Sequence, residues 1–468
     1  MANRLPDIAL CIALTSFVAA CATATYRDVP PPVPQGADSP GGGAIGLPPA
    51  NADDISADAA AWGPPQDAAF PPNAPGQLSD DPVARGRYLV DAGDCVSCHT
   101  APGGQPFAGA RAIRTPFGII YSANITPDPK SGIGTWTEAD FYRAMHKGIA
   151  HGGKNLYPAF PYTYFTHMSR GDVDAIWTYL RTLAPIYQVK PANKLPFPLN
   201  IRPLMAIWNA LFFRPREFQP NPAMSAEWNR GAYLVWGPGH CGGCHTPKNL
   251  LLADRNGHAL QGARLNDWVA LDLTSDPRRG LASWDKGDIV EYLRSGRNAR
   301  AAASGAMQEV IYYSTSRMSD SDLAAIATYL KQLPPRRHVR GFQPPQEAAM
   351  RAGEAIYVDT CAACHGGNGE GQPRYFPPLA GDAPVQSHDP TTIVRIILAG
   401  SRAVPTPAAP SAPGMPAFDW KLDDQEVASV ATYVRNAWGN SAPGVSSRTV
   451  AKLRRRYGKA AAAAAPRH

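Results

Sequence analysis

The sequence predicts a mainly α-helical protein of three tandem small domains joined by long irregular linkers. Two observations predict this fold: a five-residue cysteine motif occurs three times, and similar helix patterns precede and follow each copy. With 468 residues, 44% hydrophobic and 18% charged, the chain is long enough for three domains of about 100 residues each. Its 48 prolines and 42 glycines exceed what compact helical domains need, which indicates the linkers.

Composition and repeats divide the chain into successive segments. We expect an export signal, a disordered Pro/Gly/Ala-rich linker, three domains with two linkers between them, and a basic, alanine-rich tail that forms a solvated appendage. In that order, the segments are 1–21, 22–80, 81–185 (domain one), 186–225 (linker), 226–335 (domain two), 336–345 (linker), 346–440 (domain three) and 441–468.

The first residues have the pattern of an export signal. The apolar run from Ile8 to Ala20 is too short to span a bilayer as a permanent helix. Val-Ala-Ala-Cys21 resembles the lipobox of bacterial lipoproteins and would leave Cys21 as a lipid-bearing first residue. The following Ala-Thr-Ala suits ordinary cleavage after Ala24, so both processing sites stay open. Either one directs the protein to the periplasmic side of the bacterial cytoplasmic membrane, lipid anchored or peripheral.

The repeated motif is C-x-x-C-H, and it contains all six cysteines outside the export signal. Two thiols at this spacing can form thioethers with the two vinyl groups of one haem, and the adjacent histidine then lies under the iron as proximal ligand. A redox pair or a zinc site would not explain a histidine after every pair. We therefore expect three covalent haem c groups. Their attachment residues are Cys95, Cys98 and His99; Cys241, Cys244 and His245; and Cys361, Cys364 and His365.

The surrounding helix patterns predict class I cytochrome c domains. A glycine in the helix before each motif allows close approach of a tyrosine in the last helix of the domain, which is the crossing expected of that fold. The pairs are Gly86 with Tyr179, Gly231 with Tyr329, and Gly353 with Tyr433. Each last helix has a cap residue three positions before a carboxylate. These are Ser169 with Asp172, Ser319 with Asp322, and Asp423 with Glu426.

Methionine is the usual second axial ligand of an electron-transferring haem c. Met307 and Met415 lie ahead of the last helix of domains two and three, in what the sequence predicts to be loops, and we expect them to be distal ligands. Met168 and Met318 come directly before helix caps, where domain three has Leu422. They are predicted to be core residues of a hydrophobic staple.

Domain one lacks a methionine at the corresponding position, which Phe160 occupies. Phenylalanine cannot ligate iron. Either another side chain ligates the first haem, with His167 favoured over His151, or that haem is five-coordinate.

One linker contains an unusually apolar stretch at 203–213, flanked by Arg202, Arg214 and Arg216. Eleven residues cannot cross a hydrocarbon core of about 30 Å. A short apolar helix with Trp208 and flanking arginines suits the membrane interface. The alternative is that it packs against domain one or a partner subunit.

The chain resembles a known family through Asn124-Ile-Thr-Pro-Asp128, Leu156-Tyr-Pro-Ala-Phe-Pro-Tyr162 and Tyr375-Phe-Pro-Pro-Leu-Ala-Gly381, over roughly residues 82–440. It looks like the cytochrome c subunit of periplasmic membrane-bound dehydrogenases of acetic acid bacteria and their relatives. The resemblance implies a large catalytic subunit carrying pyrroloquinoline quinone, flavin or molybdopterin, with or without a small subunit, and electron delivery to ubiquinone. Phe160 makes the chain more similar to cytochromes paired with molybdenum hydroxylases, including aldehyde dehydrogenase; alcohol and sugar or polyol dehydrogenases come next.

Other functions remain as alternatives at this point. One is a free-standing multihaem electron carrier or oxidase subunit, and another is a haem peroxidase that uses an open iron at the first haem. The chain carries no Ser-His-Asp set, phosphate loop or acidic pair of its own. A net charge of +7 without a basic stripe interleaved with aromatics argues against nucleic-acid binding.

Overall fold

The structure is a computed structural model that describes residues 79–265, 268–335, 342 and 345–464, apart from the side chains of 458–464. The described part is mainly helical, and its strands form two-stranded antiparallel hairpins. The α-helices are α1 (Pro82–Ala92), α2 (Cys95–His99), α3 (Glu138–Lys147), α4 (Tyr162–Phe165), α5 (Arg170–Leu180), α6 (Leu204–Phe212), α7 (Ala226–Trp236), α8 (Gly242–His245), α9 (Lys286–Ser295), α10 (Ala306–Tyr313), α11 (Asp320–Lys331), α12 (Glu347–Thr360), α13 (Ala362–His365), α14 (Ala383–Gln386), α15 (Thr391–Ala399), α16 (Asp424–Val434) and α17 (Ser447–Ala464). The strands are β1 (Ala112–Thr115), β2 (Gly118–Tyr121), β3 (Gln261–Leu265), β4 (Trp268–Asp272), β5 (Ser401–Arg402) and β6 (Gly414–Met415), and 3₁₀ turns lie at His151–Gly153, Asn256–His258 and Thr315–Arg317.

The export signal with Cys21 and nearly all of the 22–80 and 336–345 linkers lie outside the described residues. Within the described ranges, no helix combines the length and the apolar character that crossing a membrane requires. The described chain divides into a short turn at 248–253 and a large remaining unit. In the turn, the Asn249 N–H donates to the Ala253 carbonyl over 2.8 Å.

Crossing helix pairs organise the large unit. Helix α1 crosses α5 at Gly86, where an added Cβ would lie 2.6 Å from the Ala175 carbonyl carbon and 2.8 Å from Tyr179 Cβ. Both distances are below ordinary van der Waals contact, so only glycine permits this approach. The predicted crossing is confirmed here and in the two equivalent pairs. An added Cβ on Gly231 (α7) would lie 2.9 Å from Tyr329 Cβ (α11), and one on Gly353 (α12) would lie 2.6 Å from Tyr433 Cβ (α16).

The predicted caps begin the last helix of each pair. Ser169 Oγ accepts from the Asp172 N–H, and Ser319 Oγ accepts from the Asp322 N–H. Asp423 forms a full capping box with Glu426, in which each side chain accepts from the other residue's backbone N–H. The carboxylates of Asp172 and Asp322 instead bind other side chains, as described below.

Each crossing pair has its own hydrophobic core. Met168 is fully buried in the first core, Met318 is 3% exposed in the second, and Leu422 is 5% exposed in the third. All three directly precede a helix cap, so the prediction that they are core residues is confirmed.

The C-terminal tail contradicts its prediction as a solvated appendage. Helix α17 packs on α15 and α16, and Val450, Leu453 and Tyr457 are buried in the third core. Their spacing of three and four residues forms an apolar stripe along one face of the helix. The prediction was wrong because arginines and alanines elsewhere in the tail obscured this stripe.

The apolar linker segment forms helix α6. One face of this helix docks on the first helical region, which comprises α1 to α5. Asn209 Oδ1 accepts from the Tyr162 hydroxyl over 2.6 Å, and Phe213 packs edge to face on the same ring. Trp208 is 9% exposed, so its predicted place at a membrane interface was wrong. Ile207 and Leu211 remain 47% and 61% exposed on another face.

Candidate haem-attachment sites

The histidine of each C-x-x-C-H motif ends a very short helix and is oriented by the main chain. In each motif the Nδ1 atom lies within hydrogen-bond distance of a backbone carbonyl. The pairs are His99 with Ala123 at 2.7 Å, His245 with Leu271 at 2.7 Å, and His365 with Pro377 at 3.0 Å. A proton on Nδ1 that is donated to a carbonyl leaves the lone pair of Nε2 for a metal. Burial lowers the pKa of all three rings and so favours the neutral, ligating form.

Two of these carbonyls come from hairpins that follow the motifs. In the first hairpin Ala112 pairs with Tyr121, two residues before Ala123. In the second, Gln261 pairs with Asp272, one residue after Leu271. The hairpins therefore fix the histidine rings, and this part of the site follows from tertiary structure rather than from the motif.

The cysteines of the motifs suit thioether attachment. None of the six described thiols forms a disulfide; the first of each pair is partly buried and the second is exposed. Cys95, Cys241 and Cys361 each pack against a different hydrophobic core. Thiol pairs at the edge of an apolar core, followed by a histidine with an available Nε2, fit a covalently attached haem.

The two predicted distal methionines lie in different local structures. Met415 is in strand β6, paired with Ser401, and packs against the third core beside Phe418. Met307 is the second residue of helix α10 and packs near Ile311. Its predicted loop position was wrong, because the apolar residues after Gly305 continue as a helix.

The first motif has aromatic residues where a distal methionine would be expected. Phe160 packs against the first core, as Cys95 does, with its ring 5.5 Å from that of Phe165. His167 is half-buried beside the linker, where its carbonyl accepts from the Phe218 N–H over 3.0 Å. Burial, aided by the nearby cation of Arg216, lowers the pKa of His167 to about 4.

His151, the less favoured candidate, binds a carboxylate through one ring nitrogen. Its Nδ1 lies 2.8 Å from Asp140 Oδ2, and its ring stacks on Trp136. Its side chain is half exposed.

The first helical region (α1 to α5) and the second (α7 to α11) bind one another through reciprocal tyrosine–aspartate pairs. Tyr88 of α1 donates to Asp322 of α11 over 2.6 Å, and Tyr233 of α7 donates to Asp172 of α5. Each aspartate also pairs with an arginine of its own region. These are Arg85 with Asp172, and Arg230 with Asp322. The sequence patterns predicted both aspartates only as partners of helix caps. The repeated Arg-Gly-x-Tyr and Ser-x-x-Asp patterns could also have indicated these tyrosine–aspartate and arginine–aspartate pairs.

Two further contacts join each region to the attachment motif of the other. Tyr164 of α4 lies against Gly242, where an added Cβ would lie 2.8 Å from the ring. This contact requires a glycine directly after Cys241. In the other contact, α10 of the second region reaches the first motif through Arg111. This side chain binds both Glu309 of α10 and the backbone of Ser97 in the motif.

Comparison with known proteins assigns the family. A family model described as cytochrome c matches residues 83–184 and 350–438. The cytochrome c subunit of a quinone alcohol dehydrogenase from Gluconacetobacter polyoxogenes is 41% identical over 392 residues, covering 80% of this chain and 84% of the relative. This chain belongs to the family of dehydrogenase cytochrome c subunits.

Other relatives of this cytochrome c subunit serve different dehydrogenases. The gluconate 2-dehydrogenase cytochrome c subunit of Pantoea cypripedii is 39% identical, over 81% of this chain and 91% of the relative. The fructose dehydrogenase cytochrome subunit of Gluconobacter japonicus is 34% identical, over 80% and 82%. The resemblance expected from the sequence is thus confirmed, and the two segments matched by the family model contain the first and third attachment motifs.

Proposed function

We propose that this cytochrome c subunit carries three covalent haem c groups and passes electrons from a catalytic dehydrogenase subunit to ubiquinone at the periplasmic face of the membrane. The observation that carries the proposal is the orientation of each motif histidine by a backbone carbonyl, in a chain of this family. Bound haem supplies one-electron redox chemistry. The protein attaches it through cysteines, orients its proximal ligand and excludes water with an apolar core.

The second haem of the proposal belongs to the middle segment, 226–335, which the family model does not match and which we propose as a cytochrome c domain of its own. Two features support it. Gly231 and Tyr329 repeat the helix crossing of the other two regions, and His245 repeats the carbonyl-held histidine. The same features support the boundaries 81–185, 226–335 and 346–440 as three tandem domains.

Met307 and Met415 are our proposed distal ligands of the second and third haems, and His167 that of the first. Met415 is supported by its position at the edge of the third core, beside Phe418. For the first haem, His167→Ala should change the low-spin spectrum, whereas His151→Ala, in the same segment between α3 and α5, is the matched control and should not. A change in His151→Ala alone would assign the ligand to His151, and unchanged spectra in both variants would favour a five-coordinate first haem.

We infer further that the partner oxidises an aldehyde, because Phe160 replaces the methionine expected in members of the alcohol dehydrogenase type. The relatives are named for alcohol, gluconate and fructose dehydrogenases, so they support only the wider class of dehydrogenase cytochrome c subunits. Tagged chain purified from its native membranes should bring a large subunit, and extraction of that subunit would identify molybdopterin, pyrroloquinoline quinone or flavin. Copurification with an oxidase instead, or peroxide turnover by the isolated chain, would contradict the proposal.

Membrane contact is proposed through the exposed face of α6. Ile207 and Leu211 support it, since they are large, apolar and exposed on a helix too short to span a bilayer. Replacing both with serine should release a form without lipid at Cys21 from membranes and slow quinone reduction, while artificial acceptors are still reduced. Tyr187→Ser with Val189→Ser is the matched control, because these exposed residues lie in the same linker. Loss of the large subunit instead would identify the face as a subunit interface.

A further inference from the structure

A mostly buried ion pair connects the first attachment motif to the second helical region. Arg111 Nη1 donates to the carbonyl oxygen of Ser97, which lies between Cys95 and Cys98, over 2.6 Å. Arg111 Nη2 donates to both carboxylate oxygens of Glu309, over 2.8 and 3.0 Å. The two side chains are only 15% and 24% exposed. Such a pair is screened less by solvent and salt than a surface ion pair.

Glu309 belongs to helix α10, two residues after Met307. The same helix packs on α2, the first attachment helix, and its Tyr313 packs against the first core. The pair therefore joins the backbone of one attachment motif to the helix that carries the proposed distal ligand of the next haem.

Other charges near the pair are weak counter-ions for Arg111. Asp94 directly precedes α2 without capping it through its side chain; it is buried, and its Oδ1 atom has no hydrogen-bond partner. Burial raises the pKa of Asp94 well above its usual value, which favours its neutral form. Asp91, whose pKa burial raises to about 6, has its own neighbouring cations, Arg317 and Arg87, which oppose that rise. Glu309 is consequently the principal anion beside Arg111.

We propose that the charge balance within the Arg111–Glu309 pair controls the reduction potential of the haem attached at Cys95 and Cys98, because each charge offsets the effect of the other. This inference rests on the proposed function, since it requires a haem at that motif. Oxidation adds one positive charge to the site, so a nearby cation disfavours the oxidised form and a nearby anion favours it. In the intact pair the two effects largely cancel, and removal of either partner leaves the other uncompensated in a poorly solvated place.

The proposal predicts shifts of opposite sign. Glu309→Gln leaves the Arg111 cation alone and should raise the potential of the first haem. Arg111→Gln leaves the Glu309 carboxylate alone and should lower it. We expect at least a threefold change in the reduction equilibrium constant in each case, which is about 28 mV at 59 mV per decade for one electron. The double variant should return to within threefold of the wild-type value.

The test is a spectroelectrochemical titration of the full chain at fixed pH. Mass spectrometry first establishes that each variant carries three haems, and the titration step that is absent from Cys95→Ala identifies the first haem. Glu138→Gln is the control, because this exposed carboxylate of the first region pairs only at the surface with Arg170; its potentials should not change.

Failure of the inference is separable from failure of the proposed function. A wild-type chain without a haem at Cys95 would refute the proposed function itself. Three haems with potentials unchanged in both single variants, or shifted in the same direction, would overturn the inference alone. Arg111→Lys keeps the positive charge and guards against a purely structural effect. Its reduction equilibrium constant for the first haem should lie within threefold of the wild-type value. A shift as large as that of Arg111→Gln would also overturn the inference.

Discussion

Replacing Gly86 with alanine tests the helix crossing on which the first site is built. The new Cβ would lie 2.6 Å from the Ala175 carbonyl carbon and 2.8 Å from Tyr179 Cβ, whereas ordinary contact begins at 3.4 Å. The shortfall at the Ala175 carbonyl carbon is roughly 0.8 Å, and the carbonyl oxygen of Ala175 lies closer still. Helices α1 and α5 would therefore have to separate by at least roughly 0.8 Å, because backbone atoms cannot rotate away as a side chain can.

The cost follows from what that separation does to the core. A gap of about 0.5–1 Å forfeits a quarter to a half of each dispersion contact across it, and Leu89 and Ile176 are fully packed at this crossing. Overpacking in well-packed cores costs about 1–3 kcal/mol, and the clashes with the Ala175 carbonyl and with Tyr179 Cβ put Gly86→Ala at about 3 kcal/mol. For a domain of about 100 residues this is a loss of at least about 10 °C in unfolding midpoint.

A matched control lies on the opposite helix of the same pair. Gly171 is in α5, and an added Cβ there would meet no atom within 4 Å. Gly171→Ala should therefore stabilise the domain slightly, by up to about 0.5 kcal/mol, through helix propensity alone. Thermal unfolding followed by far-UV circular dichroism measures both variants. A midpoint for Gly86→Ala equal to or above wild type would refute the crossing geometry.

Three other predictions can be checked independently. Mass spectrometry of the denatured mature protein should show three haem increments, and a count of two or fewer would remove a domain from the proposal. Met415→His should lower the potential of the third haem alone, because histidine ligation gives a lower potential than methionine; a shift of another haem would contradict the assignment. Tyr233→Phe deletes a hydrogen bond to the Asp172 carboxylate, which also pairs with Arg85, and should cost about 1.5–3 kcal/mol in urea unfolding, whereas Tyr187→Phe, 64% exposed, should cost nothing measurable.

Several features of the fold could be predicted because they depend on local sequence. Gly86 and Tyr179 predicted the helix crossing, since a missing Cβ determines how closely two helices approach. Ser169 predicted a helix start, since a hydroxyl satisfies backbone N–H groups within its own turn. Met168 was predicted to be core from its position before that cap, and the structure buries it fully.

Where local composition misled, burial was decided by distant neighbours. Tyr457 lies in a tail rich in arginine and alanine, yet it is only 2% exposed, because its helix packs on α15 and α16. Trp208 had the surroundings of an interfacial anchor, but it turns inward on its helix.

The sequence alone determined the chemistry of attachment, because the cysteines and the histidine of a C-x-x-C-H motif are neighbours along the chain. Only the tertiary structure determined what orients and surrounds each motif. The carbonyl of Ala123 reaches His99 through a hairpin, and Glu309 reaches Arg111 across 198 residues. Contacts between residues so far apart leave no periodic pattern in the chain; they arise only when the crossing helices have fixed where each surface lies.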